Sequence, residues 1–272
     1  AAGGGGLMHP APAFRVEDRA VLLDFLRAHP FVTLAASVGG RPFVAQSPIV
    51  IRELSGEIAL DFHLSRGNVL TPHLTQGFPA IALATGPDAY VSPDWYESAD
   101  QVPTWNYLSV EAEGAVAPLN DEELIALLDD LSAQEEARLL PKTPWTRHKM
   151  KPGKFDALLR GIQGGRLFVE RLEGTFKLSQ NKSDADRLGA AKGLGDHPIA
   201  GLMRCVAIGL VLGRERPSAQ HYARAAALAA VFLTLLYMAF GDSKRDSSEK
   251  SYPIIMGFAT GNPPYKVSQT SA

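Results

Sequence analysis

Residues 31–51 read FVTLAASVGGRPFVAQSPIVI. Two runs rich in apolar and β-branched side chains flank Gly39-Gly40, and a glycine pair supplies the positive φ angles that a tight hairpin turn needs. The stretch is therefore expected to form two antiparallel strands.

The neighbouring segments extend that reading. Upstream, VEDRAVLLDFLRAHP (16–30) carries Val21, Leu22, Leu23, Phe25 and Leu26 at helical spacing, and Pro30 stops it. Downstream, EIALDFHL (57–64) reads as a strand after the turn LSGE, and SRGNVLTPHLTQG (65–77) as a loop running into a short helix. PAIALATGPDAYVS (79–92) and residues 108–116 are further strands. NDEELIALLDDLSAQEEARL (120–139) is the clearest helix: Asn120 is a good N-cap, the first turn is acidic, and Leu124, Leu127, Leu128 and Leu131 form a stripe. A shorter helix is expected over 154–162, a strand over 165–178 and a helix over 183–194. No internal repeat is visible. Strands at short spacing with helices between and around them indicate an α+β domain built on an antiparallel barrel.

The composition, 46% hydrophobic and 21% charged over 272 residues, is that of a globular protein. A net charge of −2 provides no global basic field for nucleic acid. The single Cys205 excludes an internal disulfide framework and a cysteine-built metal site, and suits a reducing compartment, the cytoplasm. The opening AAGGGGL (1–7) reads as an upstream remnant before Met8, with no signal-peptide pattern after it. After about Cys205 the composition changes. The run AAALAAVFLTLLYMAF (225–240) is sixteen residues without a charge, short of the roughly 20 a membrane span needs. It reads first as a buried or interface helix, with a span or a non-native extension as the alternatives. The expected organisation is a domain over 8–206 and a helical C-terminal extension over 207–272.

Charge is segregated along the chain. Residues 142–182 hold ten Lys or Arg against three acids, while residues 111–138 hold nine acids against Arg138 alone. The basic segment could contact DNA phosphates, but mutual packing of the two segments is the plainer reading. No helix-turn-helix pattern is present.

Four segments hold polar groups suited to a ligand. In HLSRGN (63–68), His63, Ser65, Arg66 and Asn68 crowd a strand end, where free N–H groups and a guanidinium would suit phosphate; a capped turn with a surface arginine is the alternative. In GTFKLSQNKSDADR (174–187), Lys177, Ser179, Gln180 and Asn181 sit between a strand and a helix, where helix capping competes with ligand binding. GPDAYVSPDWY (86–96) and VPTWNY (102–107) interleave aromatics with prolines and amides. That mixture suits a ligand mouth better than a dry core.

Taken in order, FRVEDRAVLLDFLRAHPFVTL, HLSRGN, AYVSPDWY…VPTWNY and LEGTFKLSQNKSDADR…GL resemble the PaiB family of FMN-binding negative transcriptional regulators, over about 8–203. The resemblance implies a split β-barrel of the pyridoxamine-phosphate-oxidase type, and a homodimer with FMN at the subunit interface. It implies that Ser65, Arg66 and Asn68 meet the FMN phosphate. It also implies that Tyr90, Trp105, Asn106, Tyr107 and the 177–181 segment lie near the flavin or close the dimer. The chain departs from the family pattern at Gln46, Asp88 and Glu111, where histidine is usual, and at Thr175, where one lysine is lost. The expected function is that of a dimeric FMN-binding regulator. A flavin-dependent oxidoreductase and a flavin-free dimeric binding module are the alternatives; no acid–base pair singles out a substrate.

Overall fold

The computed structural model describes residues 9–212; residues 1–7 and the apolar run 225–240 lie outside them. The chain runs β1 (Arg15–Val16), α1 (Arg19–Ala28), β2 (Phe31–Val38), β3 (Arg41–Leu54), β4 (Glu57–Ser65), β5 (Phe78–Val91), β6 (Thr104–Pro118), α2 (Asp121–Ala137), α3 (Lys154–Leu159), β7 (Ile162–Lys177), α4 (Asp184–Gly193) and α5 (Pro198–Leu212). The strands are hydrogen-bonded in the order β1-β7-β4-β3-β2-β5-β6, and β6 pairs back onto β7. Strands β2 to β7 thus close an antiparallel six-stranded barrel, as expected of the α+β class.

β7 carries that closure. On one edge it pairs with β6 along residues 165–177. On the other, residues 162–168 pair with β4 and only Thr175 and Gly174 pair with β1. Between those stretches the second edge is open, which splits the barrel. The β6–β7 register shifts between Glu113 and Gly114. Gly114 is required there, because a Cβ at that position would run into the Phe168 carbonyl oxygen.

Alternation along the strands sends one set of side chains inward. Val32 and Leu34 on β2, Leu60 and Phe62 on β4, Ala82 and Ala84 on β5, and Val110 and Ala112 on β6 fill a single core. Leu22, Phe25 and Leu26 of α1 join it, with Phe25 and Phe176 ring centroids 5.3 Å apart. Asp18 caps α1, accepting from the N–H groups of Ala20 and Val21.

Helix α2 lies on the outside of the barrel. Asn120 and Glu123 form a reciprocal capping box at its start. Leu124 and Leu127 are buried in a second apolar cluster with Val50 and Leu119, and Leu128 and Leu131 pack at its edge. Beside this cluster sits Asp61, fully buried. Its carboxylate accepts from Arg52 Nε at 2.8 Å and from Arg166 Nε and Nη2 at 2.6 and 3.0 Å. Arg52 also reaches Asp130 at 2.5 Å and Arg166 reaches Glu123 at 3.0 Å. Both arginines therefore tie α2 to the sheet through one buried carboxylate.

The expected elements form, and the main differences are these. β6 begins at Thr104 rather than Leu108, so Trp105, Asn106 and Tyr107 are strand residues. The loop after β4 holds only a 3-10 turn at Thr71–His73 in place of a helix. Helix α5 was not anticipated; Ile199, Ala200 and Met203 bury it in the main core, and its weak periodicity reflects an all-round apolar sequence.

Replacing Asp61 by Asn should lower unfolding free energy by about 3 kcal/mol in urea denaturation, because two arginines lose their buried counter-charge. Loss of less than 1 kcal/mol would show that solvent compensates both.

Candidate functional site

The expected ligand residues gather at two corners of the barrel. The first is the turn after β4. Its backbone donors are used internally: Arg66 N–H donates to Gly161, Asn68 N–H to Ser65 and Thr71 N–H to Asn68, while Gly67 N–H reaches Ser65 Oγ and Leu70 N–H reaches Asn68 Oδ1. The anticipated cradle of free N–H groups is absent, because the turn folds on itself rather than opening a helix. Side chains take its place. Arg66 is oriented by donating Nε to the Arg160 carbonyl at 2.9 Å and Nη1 to Gln163 Oε1 at 3.4 Å. Its remaining guanidinium edge, the Ser65 hydroxyl proton and the Asn68 amide nitrogen have no protein acceptor among the described residues, and Ser65 and Arg66 are exposed. A fixed guanidinium with adjoining hydroxyl and amide donors suits a phosphate. His63 is half-buried, and burial pushes its pKa down toward the neutral ring; its carbonyl accepts from Ser47 Oγ at 2.7 Å.

The second corner joins the end of β5, the start of β6 and the end of β7. Tyr90 pairs with Trp105, and Asp88 with Tyr107, which in turn pairs with Lys177. Tyr90 and Trp105 are 47% and 55% exposed and stand edge to face at 6.1 Å, so an aromatic wall faces outward here. Asn106 and Ser179 do not join that wall. Both are buried, and Asn106 Nδ2 donates to Ser179 Oγ at 2.9 Å and approaches Met203 Sδ at 3.4 Å. They bind β6 to the turn after β7 and to α5. Gln180 likewise serves the turn, its Oε1 accepting from Leu178 N–H at 2.6 Å and its Nε2 donating to the Phe176 carbonyl. Asn181 lies beside it, exposed on the surface side of the turn.

Within one chain the two corners do not meet. Ser65 faces Ile162 at one end of β7 and Tyr107 faces Lys177 at the other. The strand between them has a contour of roughly 50 Å. Both corners nevertheless border the same outer face of the sheet. Gln46, Thr33, Leu83, Glu111 and Glu173 form one row across it, followed by the row Val44, Ala35, Ile81, Glu113 and Arg171. Three of the positions that depart from the family pattern, Gln46, Asp88 and Glu111, therefore share this face. Burial raises the Glu111 carboxyl above its ordinary pKa; Arg171 opposes the shift, and Glu173 and Glu113 add to it.

The aromatic corner is braced from behind. Asp186 accepts from the N–H groups of Glu97 and Ser98 at 2.9 Å each and from Ser98 Oγ at 2.6 Å. Trp95 lies on α4 where Gly189 and Gly193 leave room; a Cβ on Gly193 would enter its indole ring. A groove at the open edge of the barrel is lined by Glu17, Glu57 and Glu170 beside Arg19, an acidic setting that does not suit phosphate.

The segregated charges pair with one another. Arg147 meets Asp129, Lys142 meets Glu136, Arg166 meets Glu123, and Arg171 meets Glu113. No group of three potential metal ligands occurs among the described residues, and none of their helices is long and apolar enough to cross a membrane.

Hydrogen bonds from Ser98 hold the Asp186 carboxyl down at about 2, below its usual 3.8. The stability this group contributes is complete above about pH 4 and is lost as pH falls through 2. Thermal melts across that window should show a shallower acid decline for Asp186→Asn than for the parent protein, together with a lower melting temperature at neutral pH.

Residues 8–171, more than half of the chain, match the family described as "Putative FMN-binding domain". A Bacillus subtilis protein named protease synthase and sporulation protein PAI 2 is 27% identical over 173 residues, spanning 64% of this chain and 82% of that protein. An uncharacterised protein of Aspergillus fumigatus is 33% identical over 132 residues, 42% of this chain and 51% of that protein. Another, from Emericella nidulans, is 28% identical over 181 residues, 56% and 72% of the two chains. Barrel, motif order and family match agree, and the chain belongs to the PaiB-type family of FMN-binding proteins.

Proposed function

We propose that the protein is a homodimeric FMN-binding regulator whose flavin sites are each completed by two copies of the chain. The observation that carries this reading is the separation of the two corners. A phosphate-suited turn and an exposed aromatic wall stand at opposite ends of β7, farther apart than one flavin mononucleotide can reach. A two-fold axis through the shared outer face would bring the Arg66 turn of one copy to the Trp105 wall of the other. The face is suited to such contact: Phe31 and Val44 are 63% and 64% exposed on it, with Ala35, Ile81 and Leu83 between them.

In this arrangement Ser65, Arg66 and Asn68 hold the phosphate. Tyr90, Trp105 and Tyr107 flank the ring and exclude water from it. The bound flavin supplies electron transfer; the protein supplies orientation and charge. Regulation of transcription would act through DNA contact by four basic residues of 142–182 that form no ion pair among the described residues, Lys149, Lys151, Lys154 and Arg160.

Arg66→Ala should weaken FMN binding by about 1.5–3 kcal/mol in a flavin-fluorescence titration, as loss of a charge-assisted contact does. Trp105→Ala should also weaken it. When the two variants are unfolded, mixed and refolded together, about a quarter of the sites should regain parental affinity, since each mixed dimer rebuilds one intact site. Failure of the mixture to recover any tight sites would sink the two-chain reading. Salt-sensitive retention of promoter DNA supports the regulator; NAD(P)H-dependent bleaching without DNA binding would make the protein an oxidoreductase instead.

A further inference from the structure

Lys177 and Lys182 flank the turn after β7, where Ser179 takes φ 59° and folds the chain back. Lys177 Nζ donates to Thr104 Oγ1 at 2.5 Å and lies 5.8 Å from the Phe14 ring centroid. Lys182 Nζ donates to Gln101 Oε1 at 2.6 Å and lies 5.4 Å from the Tyr96 ring centroid. Gln101 and Thr104 are three residues apart, so one short segment holds both ammonium groups.

Neither lysine forms an ion pair among the described residues. Most of the other partly or fully buried cations meet a carboxylate: Arg52 and Arg166 share Asp61, Arg147 meets Asp129, Arg171 meets Glu113 and Glu173, and Arg187 meets Asp184. The neighbouring acids are engaged elsewhere, Asp186 with the 97–98 backbone and Asp184 with Arg187. Burial, and then the charge of Lys182, lowers the pKa of Lys177, so the two charges oppose each other. Two like charges held half-buried by neutral acceptors and aromatic rings are a poor structural device and a good receptor for a doubly charged oxyanion.

We propose that Lys177 and Lys182, with the Thr104 hydroxyl, form a second oxyanion site that binds a phosphate group, Gln101 only positioning Lys182 through its amide oxygen. The site is separate from the Arg66 corner and does not rest on the flavin reading. Its ligand is either the phosphate of a distinct small molecule or that of a flavin bound in the opposite sense.

The probe is inorganic pyrophosphate, titrated calorimetrically at low salt into full-length Arg66→Ala protein so that the first corner does not contribute. Adding Lys177→Met or Lys182→Met should each weaken binding roughly tenfold or more. Adding Lys192→Met, on the exposed surface, should change it less than twofold. Thermal melts confirm that each variant is folded, and Lys182→Met decides the matter if Lys177→Met is not. Unchanged affinity in a folded Lys177 or Lys182 variant, or an equal loss in Lys192→Met, overturns the site. FMN and riboflavin titrated against the single lysine variants identify the source. A loss confined to FMN assigns the site to the flavin phosphate; equal behaviour of the two assigns it to a separate ligand. If the parent protein binds neither flavin, the flavin reading fails while the pyrophosphate result stands.

Discussion

The pairing of β7 with three different strands is the constraint on which the rest depends. Its sixteen residues exceed the length of either β4 or β1, so neither can cover one whole edge. β6 covers the other edge and closes the ring. An antiparallel barrel leaves few strand groups without partners, and on β7 the open stretch falls beside residues 169–173. Closure also forces the bulge at Gly114, where two backbones approach too closely for any side chain.

Electrostatics then decides how the helices sit on that ring. Asp61 is buried in the sheet, and it is tolerable only because Arg52 and Arg166 saturate its oxygens. The same arginines extend to Asp130 and Glu123, so a strand carboxylate fixes the seat of α2. The acidic and basic halves of the middle of the chain are therefore largely a folding device. Four basic residues of the 142–182 segment find acids of the 111–138 segment, which reduces the free positive charge left for a nucleic acid.

For function, the long strand has a geometric consequence. It places the phosphate-suited turn and the aromatic wall at its two ends, while alternation keeps a continuous outer face between them. Residues that look equivalent in sequence then acquire different duties. Trp105 and Tyr107 face outward, whereas Asn106, between them, points in and joins Ser179 and Met203. Charge divides the 177–182 turn as well: Ser179 and Gln180 serve the fold, and the two lysines are left without counter-charge.

Much of this was legible in the sequence. The Gly39-Gly40 hairpin, the period-two strands, the Asn120 N-cap and the Leu stripe of α2 are local features, governed by residues within one or two turns of one another. The motif order was enough to indicate the FMN-binding family. Helix α5 escaped notice because an apolar sequence without periodicity does not distinguish helix from strand. Only the tertiary structure decided that Ser65–Asn68 and Trp105–Lys177 lie at opposite ends of one strand, and that Asn106 and Ser179 satisfy each other. Alternation determines which way a side chain faces along its own strand. Which residues become neighbours is set by register and ring closure, and those depend on pairings between segments about a hundred residues apart or more, such as Ser65 with Ile162 and Arg15 with Thr175.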